Sequence, residues 1–207
     1  MFNTILLFRN LVTVAILMLC SLLLLQMLQS ILIFDQQLIA TGEWWRVWTG
    51  HFVHTNIEHL LLNATGFALL LLLYQPQIIL STLFSYSVYL ATCIGLGIFC
   101  FNPEIERYAG FSGVLYGLFT FSALQAIFKR DFLLGYGVFF VLSGKIIWEN
   151  IDPSINNHNA LLINADIASE AHLYGYLAAI LYGVWTQLRF FIYLKIGAVS
   201  GRTPRHK

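Results

Sequence analysis

Only 10% of the 207 residues are charged and 58% are hydrophobic, with a formal net charge of +1. Soluble domains carry about 25% charged residues, so this balance excludes an ordinary soluble domain and places the chain in a membrane. No nucleic-acid partner is expected.

Windows long enough to span roughly 30 Å of hydrocarbon fall at about 11–34, 57–74, 78–101, 112–128, 132–148 and 171–194. They predict an all-α membrane protein, a single domain over 1–207 with six transmembrane helices. The apolar run from Leu11 to Phe34 is far longer than a signal-peptide core and no small-residue cleavage site follows it, so it reads as a retained helix. Between the windows lie the breaks Gln75-Pro76-Gln77, Asn102-Pro103-Glu104, Lys129-Arg130-Asp131 and the polar stretch Glu149 to Glu170. Cys20, Cys93 and Cys100 sit in apolar runs without metal-ligand spacing and read as small hydrophobes.

Orientation follows from the basic residues. With the N-terminus inside, Arg9, Lys129, Arg130, Arg189, Lys195, Arg202, Arg205 and Lys207 all fall on the cytoplasmic side, with Asp131 the one acid there. Arg46, Arg107 and Lys145 face the remaining acids outside. Both termini are therefore expected inside. The second, fourth and sixth helices then begin at one level near the outer leaflet, and each of those ends carries polar residues.

The second window opens Ile57-Glu58-His59 and continues to Asn63. His59 and Asn63 are four apart, on one helical face. Polar groups in hydrocarbon are expensive unless they face protein or a water-filled cavity. The fourth window opens on Gly110-Phe111-Ser112-Gly113-Val114-Leu115-Tyr116-Gly117. At 1.5 Å per residue from Lys129, Ser112 lies about 25 Å from the inner interface, a little below the outer surface. In the fifth window Lys145 reads as snorkelling to the interface. The sixth begins Ala171-His172-Leu173-Tyr174-Gly175, with small residues at Gly175, Ala179 and Gly183. Gly113 and Gly117 offer the same spacing. Facing stripes of small residues let helices approach closely, and such a crossing would bring His172 to Ser112.

That juxtaposition fits a serine nucleophile activated by a histidine base. His59, Asn63 and the Ser112 N–H are candidate donors to a developing oxyanion. No acid is obviously placed to orient His172, since Glu170 and Asp166 lie in the preceding loop. A dyad is expected, with Tyr116 packing against the imidazole.

At these residues the chain resembles the rhomboid family of intramembrane serine proteases. The matching pieces are Trp45-Arg46, the pattern His54…His59…Asn63, the glycine-serine element from Gly110 to Gly117, and His172 with Gly175. The resemblance covers the whole six-helix core. It implies a rhomboid-like bundle with both termini inside, Ser112 as nucleophile and His172 as base. It also implies His59 and Asn63 in the oxyanion hole, with Gly110, Gly113, Tyr116 and His54 supporting, His54 by holding the loop after the first helix. That loop, Asp35 to Asn56, would lie partly in the outer leaflet, anchored by Trp44, Trp45 and Trp48. The second glycine of the family's helix-packing pair is here Ala179, which implies slightly looser packing. The phrases TGHFVHTNIEHLLLNA and GFSGVLYG and the short chain look most like the rhombosortase branch. The implied substrates are transmembrane or membrane-tethered proteins, including exported proteins with C-terminal sorting tags. The implied location is a bacterial inner membrane, with the site open to the periplasm.

Two other readings are weaker. His51, His54, His59 and His172 could supply imidazoles to a metal, but spacings of three and five across a loop-to-helix junction are not a zinc pattern. No metal or cofactor is expected. A non-catalytic rhomboid-fold binding or chaperone protein would ordinarily have lost Ser112 or His172, and both are present.

Overall fold

The computed structural model describes residues 13, 16, 19–74 and 80–199. Much of the first apolar window and the Gln75-Pro76-Gln77 break lie outside them. The long helices are α1 (Ile57–Leu73), α2 (Leu80–Phe101), α3 (Ser112–Phe128), α4 (Phe132–Ile151) and α6 (Ser169–Val199), with the short α5 (Asn157–Ile163) between α4 and α6. The described strands are β1 (Phe34–Asp35) and β2 (Arg107–Tyr108), paired antiparallel with Phe34 opposite Tyr108.

By length and composition, two described helices can cross a membrane, 82–101 and 132–151. A third span results if the bent pair Arg46–Phe52 and Ile57–Leu73 is counted as one. The chain is an all-α integral membrane protein. Its apolar surface follows from that solvent: Leu133, Phe140 and Val141 on α4 and Phe190 to Tyr193 on α6 are all exposed, as side chains facing lipid would be.

Helix starts are fixed by side chains that satisfy the first free amides. Asn56 caps α1 by accepting from His59 N at 2.8 Å. Asp131 caps α4 through Leu134 N. By contrast, no side chain caps α3, which begins at Ser112 itself.

The core gathers Leu90, Ile94 and Ile98 of α2, Val114 and Leu118 of α3, and Ala171, Ala178 and Ala179 of α6. Helices α3 and α6 cross at near-backbone contact. A Cβ on Gly113 would sit 2.8 Å from the Ala171 carbonyl oxygen, and one on Gly117 2.9 Å from that of Gly175. A Cβ on Gly175 would collide with the carbonyl oxygen of Gly113. Ala179, one turn further, is fully buried, so a methyl group is accommodated at that position of the stripe.

The segment between Asp35 and Asn56 forms a compact cap of short helices, Gln36–Ala40 and Arg46–Thr49 among them. Arg46 is buried and pays its desolvation through Glu43 Oε2 at 2.6 Å and the carbonyls of Ser30 and Ile33. Trp44, Trp45 and Trp48 are exposed, yet the indoles of Trp45 and Trp48 donate to the Ile31 carbonyl and Thr92 Oγ1. Amphipathic rings of this kind suit a membrane–water boundary.

Asp35 joins this cap to β2 by accepting from Leu38 N and from Arg107 Nε, both at 3.1 Å. Burial alone would raise its carboxyl pKa, but those donors and the Arg107 charge outweigh it and hold the group below the usual carboxylate range. A lowered pKa contributes stability that is fully present above the unfolded value of about 3.9 and lost as pH falls through the folded one. Arg107 is largely exposed, which keeps the contribution to about 1 kcal/mol or less. The melting temperature of the parent in detergent is therefore expected to fall below pH 4 slightly more steeply than that of Asp35→Asn; parallel curves would show that the pair contributes nothing.

Candidate active site

A cavity of about 850 Å³ opens where the first turns of α1, α3 and α6 meet the end of α4. Ser112, His172, His59, Asn63, Tyr116 and Glu149 all line it.

Ser112 is the first residue of α3, reached through Gly110, whose φ is +132°. That conformation, and the space, both demand glycine: a Cβ there would lie 2.6 Å from His59 Cε1 and 2.7 Å from His59 Nε2. Its N–H donates to the Gly50 carbonyl and its own carbonyl accepts from the Tyr108 hydroxyl at 2.8 Å. The turn before the serine is thus held from the cap on one side and from β2 on the other.

The close α3–α6 crossing sets the next distance. Ser112 Oγ lies 2.9 Å from His172 Nε2, within hydrogen-bond range. The Tyr116 ring stacks on the imidazole with 4.2 Å between centroids and 4° between planes. His172 itself is buried, 6% exposed. The serine is half-buried and faces the cavity.

The acid missing from the sequence reading is present. Glu149 Oε2 lies 2.9 Å from His172 Nδ1. The other oxygen accepts from Lys145 Nζ at 2.6 Å and the Tyr116 hydroxyl at 3.2 Å. Glu149 is 1% exposed. Lys145, which read as snorkelling to the interface, is instead engaged in this ion pair while its side chain stays about half exposed. The sequence held one signal for it. Lys145 and Glu149 are four apart, so they share a helical face, but only if α4 continues to Ile151 rather than ending at 148.

His59 and Asn63 stand on the facing wall. Asn63 Nδ2 is buried and meets no acceptor among the described residues. His59 is more constrained. Thr55 Oγ1 donates to the Ile163 carbonyl at 2.6 Å, so its oxygen must accept from His59 Nδ1 at 3.1 Å. A neutral His59 then carries its proton on Nδ1 and presents an acceptor at Nε2. Asn63 is the donor available in every protonation state.

His54 is placed away from the cavity. Its backbone N–H and carbonyl bond to Gln26 at 2.8 and 2.5 Å, its carbonyl also to Gln29, and its ring lies edge-on to His59 at 5.1 Å. Its backbone thus ties the segment just before α1 to Gln26 and Gln29, next to the His59 ring. His51 is also buried, against Tyr108, and the described residues hold no cluster of three or more metal-ligating side chains.

The stretch Glu149 to Glu170, which reads in the sequence as a polar break between two windows, is largely helical. It contains the end of α4, the turn Pro153–Asn156 and α5, which Asn164 ends at φ +54°. The carbonyls of Leu162 and Ile163 accept from Asn56 and Thr55, so α5 is tied to the start of α1 beside the cavity.

Comparison with protein-family models matches the rhomboid domain over residues 41–189, well over half of the chain. No curated protein matches it. The matched region holds Ser112, His172, His59, Asn63, Tyr116 and Glu149. The chain belongs to the rhomboid family, whose members are in general serine proteases acting on membrane proteins within the bilayer.

Proposed function

We propose that this rhomboid-family chain is an intramembrane serine endopeptidase, with Ser112 as nucleophile and His172 as general base. The observation that carries the reading is the 2.9 Å contact between Ser112 Oγ and His172 Nε2 at the wall of an 850 Å³ cavity. A nucleophile and base within hydrogen-bond reach, beside a buried unpaired donor, are the parts an acyl transfer needs.

In this reading Ser112 Oγ attacks the scissile carbonyl carbon and its proton passes to His172 Nε2. The carbonyl oxygen takes the negative charge and is met by Asn63 Nδ2. Collapse breaks the C–N bond as His172 returns the proton to the leaving amine. Water then attacks the acyl-enzyme by the same route in reverse roles, restoring Ser112. His59 joins the oxyanion donors only when it carries a second proton.

The substrates are transmembrane or membrane-tethered proteins cut near the outer leaflet. The distribution of basic residues supports this geometry: with six spans and both termini inside, eight of the eleven gather on one side and the site opens toward the other. The membrane is a bacterial inner membrane and the site faces the periplasm. The motif forms favour the rhombosortase branch and hence C-terminal sorting tags of exported proteins. Co-expression with a tagged protein tests the branch: a processed tag supports it, and an intact tag beside active enzyme argues for a general rhomboid.

The protease reading is tested in liposomes with a single-span substrate. The parent cleaves; Ser112→Ala and His172→Ala do not. Cleavage at parental rate by either variant would overturn it, and no cleavage by the parent would favour the non-catalytic binding role. Asn63→Ala is expected to lower kcat by about 10²–10³ with little change in KM, as loss of one oxyanion donor does. An unchanged kcat would remove Asn63 from the oxyanion hole.

A further inference from the structure

We propose that Glu149 is the positioning residue for His172, the third member of a serine–histidine–glutamate relay that the serine–histidine pair alone does not describe. The inference rests on the protease reading above.

The geometry assigns a proton to each nitrogen. Glu149 accepts on both oxygens: Oε1 is taken by Lys145 Nζ at 2.6 Å and the Tyr116 hydroxyl at 3.2 Å, and Oε2 faces His172 Nδ1 at 2.9 Å. An ionised carboxylate can only accept, so Nδ1 bears the hydrogen. The lone pair of the neutral ring then sits on Nε2, pointing at Ser112 Oγ. That is the tautomer a general base requires. The same carboxylate holds the ring a second way, because the hydroxyl it accepts from belongs to the tyrosine stacked on the imidazole. One buried acid thus fixes the tautomer directly and the ring plane through Tyr116.

The carboxylate must stay charged to do this, although it is 1% exposed. A buried carboxylate without partners takes up a proton rather than remain ionised. Lys145, on the preceding turn of α4, supplies the compensating charge with its own side chain still reaching the cavity. When His172 takes the serine proton, the resulting imidazolium faces an anion already in place and needs no rearrangement. The other titratable groups around the ring are Tyr116 and Ser112 of α3, His59 of α1 and Glu170 of its own helix, and none of these touches Nδ1.

Glu149→Gln separates this role from packing. The amide oxygen will face Lys145 and Tyr116, which donate, leaving the NH₂ toward His172 Nδ1. The imidazole must then carry its proton on Nε2, where it cannot accept from Ser112. The probe is a fluorophosphonate, which needs no identified substrate: Ser112 Oγ bonds to phosphorus, fluoride leaves, and the proton passes to His172. In the full-length protein in micelles, Glu149→Gln is expected to lower kinact at least 100-fold with KI unchanged, toward the roughly 10⁴ loss that a wrong tautomer causes in a serine triad. In ¹⁵N-histidine spectra the His172 proton moves from Nδ1 to Nε2. Glu149→Asp keeps the charge but retracts it by one methylene, so it keeps the Nδ1–H tautomer and loses at least tenfold in kinact. Glu149→Gln labelling within threefold of the parent, or a parental His172 already protonated on Nε2, overturns the proposal. Should Glu149→Gln not fold, parental kinact in Glu149→Asp overturns it instead. Failure of the protease reading looks different: the parent does not label, or Ser112→Ala labels equally.

Discussion

Ser112→Ala is expected to lower kcat on a membrane-tethered substrate by a factor on the order of 10⁵–10⁶, and His172→Ala by a similar factor. The two losses should not add. Once the nucleophile is gone the base has no proton to take, and without the base the hydroxyl stays un-ionised, so the double variant is expected to be no slower than either single one. KM should change little, because the 2.9 Å contact between the two side chains serves the reacting bond rather than the remote parts of a substrate. Rates from the single and double variants in liposomes check this directly. A double variant slower by the product of the two losses would mean that Ser112 and His172 act separately.

The second large effect is expected away from the reacting atoms. Gly175→Val places a Cβ against the carbonyl oxygen of Gly113, with the carbonyl carbon 3.0 Å and the Gly117 nitrogen 3.4 Å away. All three are backbone atoms, so no rotamer change relieves the clash and α3 and α6 must separate. Overpacking of this kind costs about 1–3 kcal/mol. The larger consequence is catalytic. Gly175 lies one turn from His172, so the separation is transmitted to the serine–histidine contact, and a misplacement of about 1 Å costs about 10²-fold in rate. Cleavage by Gly175→Val is therefore expected to fall at least 100-fold even where the variant remains folded by thermal melt. Gly137→Ala and Gly144→Ala provide the contrast. A Cβ at either meets nothing within 4 Å, so both should cleave as the parent does. Equal activity in Gly175→Val would show that the helix crossing does not set the site geometry.

These two predictions mark what was legible in the sequence. Spacing on single helices carries far: small residues four apart on two windows led to a close crossing and so to Ser112 beside His172. The stacking of Tyr116 followed from its place one turn below the serine. Glu149 was missed because its place depended on a helix end. Ending the window at Trp148 puts the acid in a loop; three more helical residues turn it inward onto His172. Lys145 was misread with it, since a lone lysine near a helix end looks like a snorkel until its i+4 partner is inside the same helix. The protonation of His59 was out of reach for a different reason. It depends on Thr55 donating to the carbonyl of Ile163, 108 positions away, and no local pattern encodes that contact. The same holds for His54, whose backbone is held by Gln26 and Gln29.

The most direct test of the central claim is the site of covalent capture. The purified protein is exposed to a fluorophosphonate in micelles, digested, and the adduct mapped by mass spectrometry, in parallel with His172→Ala. The phosphonyl group is predicted on Ser112 in the parent and absent from Ser112 in the variant after the same exposure. An adduct on another residue, or equal labelling of Ser112 without His172, would contradict the account.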